Sequence, residues 1–282
     1  MPMLFVGLWS TGFVTARLGM PHAPPIAFLL MRFGLSAAGF AIWVWLAGAA
    51  WPRGIRQWLH LGMLGLTTQA AYLICGWAAI KHGMGVGTMT LLVGLQPLLT
   101  ALWMDRQDSQ AIARLGGRQW AGLLLGFLGL LLVVSHKLGQ GELGPLNLSL
   151  GVAALLAISF GSIYQKRYVK GTDARTAMLI QLLVAFLVSA PLALLETESI
   201  VWHRDLFIAL GWSVLGLTIG ASSLLFVLLQ RGVATQVTSL MYLIPPCAAL
   251  LAWALFDEPI GMLVWLGMAL SALGVFWVIK RV

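Results

Sequence analysis

The sequence predicts an all-α membrane protein with ten transmembrane helices in two inverted five-helix repeats. Three observations carry that expectation: scarce charge, ten apolar stretches of spanning length, and a sparse match between the two halves of the chain. Charged residues make up 9% of the 282 positions and hydrophobic residues 60%, with a mean hydropathy of +0.92. Soluble domains carry about 25% charged residues. A single soluble core of this length could not enclose so much apolar side chain, so lipid is the solvent that the composition requires. No long polar stretch interrupts the chain, and no soluble domain is expected.

A bilayer core of about 30 Å takes about 20 apolar residues of helix. Such stretches lie near 3–20, 26–48, 58–80, 85–104, 118–135, 147–165, 176–195, 206–229, 234–255 and 260–279. The first begins at Met3 with no basic segment before it and no small-residue cleavage site after it, so it reads as a retained span and not a signal peptide. Turn-forming residues separate the stretches: Pro21, Pro24 and Pro25, then Pro52, Gly83, the Gly139, Gly141 and Gly144 group, and Pro259.

Charge tests the count. With both termini cytoplasmic, twelve cations fall on the inner side: Arg53, Arg56, Arg106, Arg114, Arg118, Lys166, Arg167, Lys170, Arg175, Arg231, Lys280 and Arg281. Four fall outside, Arg17, Lys81, Lys137 and Arg204, and Arg32 lies within a span. The bias follows the positive-inside rule. It also accounts for the net charge of +8 as loops facing anionic headgroups, with no nucleic-acid partner.

Shifting the chain by 149 residues superposes Gly12 on Gly161, Arg17 on Lys166, Arg32 on Gln181, Lys81-His82-Gly83 on Gln230-Arg231-Gly232, and Pro97 on Pro246. In the fifth span the offset slips to 145 and aligns Trp120, Gly122, Gly129 and Val133 with Trp265, Gly267, Gly274 and Val278. The expected repeats are residues 1–140 and 141–282 of one membrane domain. Five spans is an odd number, so the second repeat enters the membrane upside down. Inverted repeats supply two related conformations, each open to one side, with a substrate site near the midplane. Gly94 and Pro97 in the fourth span match Pro245 and Pro246 in the ninth. Proline removes a helical hydrogen bond, and both halves carry one there, so these four positions are the expected hinges.

Polar residues within spans are functional candidates. Arg32 has two readings: an anchor for a substrate carboxylate, or a side chain that snorkels outward or ties helices through backbone carbonyls, which is the reading favoured. No Asp or Glu lies deep in a span, so transport without a proton-coupling carboxylate is expected. A neutral site of aromatic faces, hydroxyls and one amide is expected from Trp9, Gln69, Tyr72, Trp77, Thr88, Ser159, Tyr164, Ser239 and Tyr242. Each also has a packing explanation, because hydroxyls and small residues join membrane helices. Trp51, Trp58, Trp103, Trp120, Trp202 and Trp265 fall near span ends, where interfacial belts account for them. The pairs Gly122/Gly126 and Gly216/Gly220 mark helix contacts and offer a face for a homodimer.

Cys75 and Cys247 lie in apolar runs and read as buried hydrophobes. The Gly139-x-Gly141-x-x-Gly144 run has no preceding strand and is no dinucleotide fingerprint. There is no metal constellation, no cofactor motif and no nucleophile–base arrangement. A lipid-modifying membrane enzyme would need interfacial His or carboxylate clusters and is the weaker reading.

Four segments carry a family resemblance: Trp9-Ser10-Thr11-Gly12-Phe13-Val14, Met31-Arg32-Phe33, Leu95-Gln96-Pro97-Leu98 and Phe256-Asp257-Glu258-Pro259. With them the chain resembles the drug/metabolite transporter superfamily, specifically its EamA-type ten-helix exporters, and within these the aromatic amino-acid exporter branch. The resemblance implies a central cavity lined by helices one, three and four and by six, eight and nine. It implies a carrier of the bacterial inner (plasma) membrane that exports small amphipathic metabolites, foremost amino acids, with drugs or other metabolites as the alternative cargo. Asp105 stands where the family often has Glu, which leaves no role to assign there.

Overall fold

The computed structural model describes residues 2–96, 99–100, 117–139, 142–169, 171–224, 244–257 and 261–279. All regular structure among them is helical. The helices are α1 (Pro2–Ser10), α2 (Gly12–Gly19), α3 (Pro25–Leu46), α4 (Ile55–Leu64), α5 (Tyr72–Lys81), α6 (Val86–Val93), α7 (Gly117–Gly139), α8 (Pro145–Tyr168), α9 (Ala174–Ala193), α10 (Arg204–Gly211), α11 (Ile244–Phe256) and α12 (Met262–Ile279). Two π-helical segments, Gly65–Ala71 and Trp212–Ala221, join α4 to α5 and extend α10. Among the described residues, five stretches are long and apolar enough to cross a membrane: Pro25–Leu46, Ile55–Lys81, Pro145–Tyr168, Ala174–Ala193 and Arg204–Leu224.

Helix α3 shows which solvent surrounds the fold. Its outward face carries the exposed Leu35, Ile42 and Trp45, while its inward face holds the buried Arg32 and Ser36 among Phe28, Leu29 and Phe33. A soluble helix is apolar inside and polar outside. Here the order is reversed, as expected where the surroundings are hydrocarbon and polar groups must find partners inside.

The packing partners reveal the repeat. Helix α3 lies along α9, α6 along α11, and α7 along α12; these are the second, fourth and fifth helices of each half beside their own counterparts. Helix α5 packs on α8, and α1 and α2 pack on the second π segment and α10. Exchanging the halves turns each of these last two contacts into the other. Backbones approach closely at the glycines. A Cβ at Gly65 would meet the Gln181 carbonyl oxygen at 2.6 Å, and one at Gly274 would collide with the backbone of Gly122 and Gly126. The Gly122/Gly126 face is therefore occupied by α12 within the chain, and a Cβ at Gly216 would meet the Trp212 ring at 3.0 Å.

The turns between helices on the predicted outer side are tied down. Pro24 and Pro25 leave α3 without a capping side chain of its own. Glu196 supplies the cap from the other half, accepting from the Ile26 and Ala27 N–H groups at 3.0 and 2.8 Å. The Val201 N–H donates to the His22 carbonyl at 2.8 Å, and Lys81 pairs with Glu198.

Candidate functional site

The two π segments occupy corresponding places in the halves, since 65–71 shifted by 149 falls within 212–221. A π turn carries its hydrogen bonds to the fifth residue, and such turns are frequent at functional sites. Each one here presents a threonine to the second helix of the opposite half. Arg32 donates through Nε to the Thr218 hydroxyl at 3.3 Å. That hydroxyl in turn donates to the Ser213 carbonyl five residues back, at 2.9 Å. In the mirror position the Thr68 hydroxyl lies 3.4 Å from Gln181 Oε1 and also donates to the Leu64 carbonyl at 2.7 Å. The sequence offset pairs Arg32 with Gln181, and the fold gives both the same kind of partner.

Arg32 does not snorkel to an interface. It is 9% exposed and its tie between helices runs through a hydroxyl, not through backbone carbonyls. Tyr72 lies on the first turn of α5, with Phe13 edge-on to its ring at 6.1 Å. Gln69, three residues earlier, points its amide toward Met178 Sδ at 3.7 Å. Arg32 with Thr218, and Gln181 with Thr68, are thus two corresponding polar contacts in the interior, one in each half.

Other expected site residues lie elsewhere. Trp77 is fully buried against Phe28, with ring centroids 4.8 Å apart, and its Nε1 has no partner among the described residues. Thr88 is held at the outer end by Glu142, its hydroxyl donating to Oε1 at 3.0 Å while the Gly85 N–H donates to the same oxygen. Tyr164 shares a 2.6 Å hydrogen bond with His60 Nδ1 and stands in an aromatic group with Phe160 and Tyr168. The Ser159 hydroxyl is buried without a partner among the described residues, one turn from Ser162, which accepts from Gln96 at 2.5 Å. Trp9 is half-exposed beside Phe5, just before Thr11, where the first helix tightens and where the Trp212 indole donates to the Thr11 hydroxyl at 2.8 Å. The helical run containing α6 is interrupted at Gly94 and Leu95, where the Leu95 N–H reaches back only three residues. Pro245 and Pro246 lie in the first turn of α11. Pro97, Ser239 and Tyr242 lie outside the described residues.

Two features escaped the sequence reading. Thr218 sits in an ordinary apolar run, and only its mate Thr68, beside Thr67 and Gln69, breaks the apolar pattern locally. His22, His203 and Asp205 converge on the predicted outer side although 181 residues separate the two histidines. The imidazoles stack at 4.5 Å, and Asp205 Oδ2 lies 3.7 Å from His22 and 3.3 Å from His203. Their ligand atoms are close enough for a metal, but His203 Nδ1 already accepts from the Asp205 N–H as the cap of α10. A pocket of about 320 Å³ lined by His82, Gly83, Glu142 and Asn147 lies at the same outer end, away from Arg32. On the opposite side Asp173 caps α9 at the Arg175 N–H, and the Arg175 guanidinium beside it holds its carboxyl below the ordinary range.

The model of the EamA-like transporter family matches this chain twice, over residues 2–135 and 146–280, and the chain belongs to that family. It is 25% identical over 284 residues to a probable amino-acid metabolite efflux pump of Escherichia coli K12, covering 97% of this chain and 92% of that protein. A protein of the same description from Salmonella typhimurium LT2 is 28% identical over 179 residues, or 62% of this chain and 56% of its own length. An uncharacterized transporter of Archaeoglobus fulgidus is 23% identical over 95% of this chain and 92% of its own. A solved crystal structure shares the fold, with a TM-score of 0.69 over 100% of this chain and 97% of that one at 18% identity. The protein is therefore a multi-pass membrane transporter and not an enzyme.

Proposed function

We propose that this transporter exports small amphipathic metabolites, foremost amino acids and among them aromatic ones, by alternating access between its two halves. One observation carries the cargo and the direction: the E. coli relative described as an amino-acid metabolite efflux pump aligns along 97% of this chain. The interior supports the reading. The interior contacts at corresponding positions of the two halves involve two threonine hydroxyls, one amide and the single cation Arg32, which suits an amphipathic solute; a phosphate would draw several converging cations. The halves, residues 1–140 and 141–282, rock about their shared contacts with both termini cytoplasmic. Among the described residues no carboxylate lies within a span, so transport runs down the solute's own gradient.

The test is uptake into liposomes holding the purified chain, using a labelled amino-acid panel with and without an imposed pH gradient. Saturable counterflow of phenylalanine, tyrosine or tryptophan is expected. Uptake of no amino acid would overturn the cargo and turn attention to drugs and other metabolites.

A further inference from the structure

We propose that Arg32, held by the Thr218 hydroxyl, is the subsite that takes the carboxylate of the transported solute. The inference rests on the carrier reading and deepens it by naming a chemical group.

Arg32 stands seven residues into α3, about 10 Å from the outer end of that helix. A charge at that depth is costly and calls for an opposite charge or a full set of hydrogen bonds. Among the described residues it has neither: its one hydrogen bond is the Nε contact to Thr218, both η nitrogens lack an acceptor there, and no carboxylate pairs with it. Among those residues the fully occluded, unpartnered polar atoms are those of Ser36, Trp77, Ser159 and Ser189, while Arg32 keeps 9% of its surface exposed.

The geometry is that of a held and open fork. Thr218 spends its proton on the Ser213 carbonyl, so it faces Arg32 as an acceptor and fixes the guanidinium by its Nε edge. The η edge remains free, and a guanidinium edge matches the two oxygens of a carboxylate. One cation suits a monoanion or a zwitterion.

The repeat excludes the plain structural explanation. Gln181 occupies the matching place in the second half and meets Thr68 with a neutral amide. A neutral side chain is therefore enough to join these helices to the π segment. The charge at position 32 goes beyond that task.

The experiment uses the full purified chain in liposomes and compares phenylalanine with phenylalaninamide as competitors of labelled phenylalanine counterflow. The wild type is expected to prefer the acid by at least about tenfold, since an unmatched buried polar group penalises the analogue that lacks its partner. Arg32→Gln, which copies the residue at 181, should abolish that preference by weakening the acid while leaving the amide within about twofold. Arg32→Lys should keep part of it. Equal loss for acid and amide in Arg32→Gln would overturn the proposal. A second readout is independent of cargo: thermal stability of the detergent-solubilised chain with 3-phenylpropionate, 3-phenylpropionamide or chloride. Stabilisation by the carboxylate alone, lost in Arg32→Gln, supports the subsite even if no amino acid is carried, in which case only the cargo reading falls. Equal stabilisation by chloride, or none by the carboxylate, overturns it.

Discussion

At the scale of single residues, glycines decide how near the two halves come. Gly274 allows α12 to touch the backbone of Gly122 and Gly126 on α7, and backbone cannot move aside as a flexible side chain can. Gly274→Val is expected to cost about 3 kcal/mol or more, the upper range for overpacking. Gly12→Ala, where a Cβ would meet nothing within 4 Å, should change little. Thermal melting in detergent checks both. Asp173 gives a residue-scale prediction in pH. Its carboxyl is held low by Arg175, so the ionised cap favours the folded state above the ordinary carboxylate range. That contribution is lost as pH falls through the folded-state value. Asp173→Ala should lower stability by about 1 kcal/mol near neutrality and flatten the acid limb of the melting profile.

At the scale of the element, the ends and interruptions of the helices carry the information. Glu196 caps α3 from across the repeat, so Glu196→Ala removes acceptors from two N–H groups and should cost about 1 kcal/mol. Glu198→Ala, which removes only an exposed partner of Lys81, should fall near zero. Melting temperatures of the two variants, measured side by side, separate a cap from a surface pair. The same elements show what could be read from the chain. The described spans lie within a few residues of their expected positions because apolar length registers directly in composition. The offset that matched Arg32 with Gln181 carried structural meaning, since both meet a threonine of the opposite half. The π segments were not legible: their extra residue per turn follows from packing against α3 and α9, and Gly65 against Gln181 is a contact between positions 116 apart. Trp77 shows the opposite difficulty. Its place on a polar-looking helix gave no sign that its ring packs against Phe28 and lies fully buried.

At the scale of the whole molecule, transport should be indifferent to an imposed proton gradient. The described carboxylates Glu142, Glu196, Glu198, Asp205 and Asp257 stand at helix ends on the predicted outer side, and Asp173 at a helix end on the other side. None lies along the interior path where a proton would have to be carried. Initial rates of counterflow at matched and unmatched pH measure this directly, and a severalfold stimulation by the gradient would contradict it.

The two threonine contacts bear on the balance between the forms of the molecule. Two halves of identical sequence would make the form open to one side the image of the form open to the other, and their free energies would be equal. An arginine on one side of the relation and a glutamine on the other lifts that degeneracy. Under the proposed alternating access the empty carrier then spends unequal time facing the two compartments, each 1.4 kcal/mol of difference being worth about a factor of ten. An anionic ligand that neutralises the arginine changes that inequality. Occupied and empty carriers thus reorient with different equilibrium constants, and exchange of solute for solute becomes faster or slower than net efflux through the charge of one side chain.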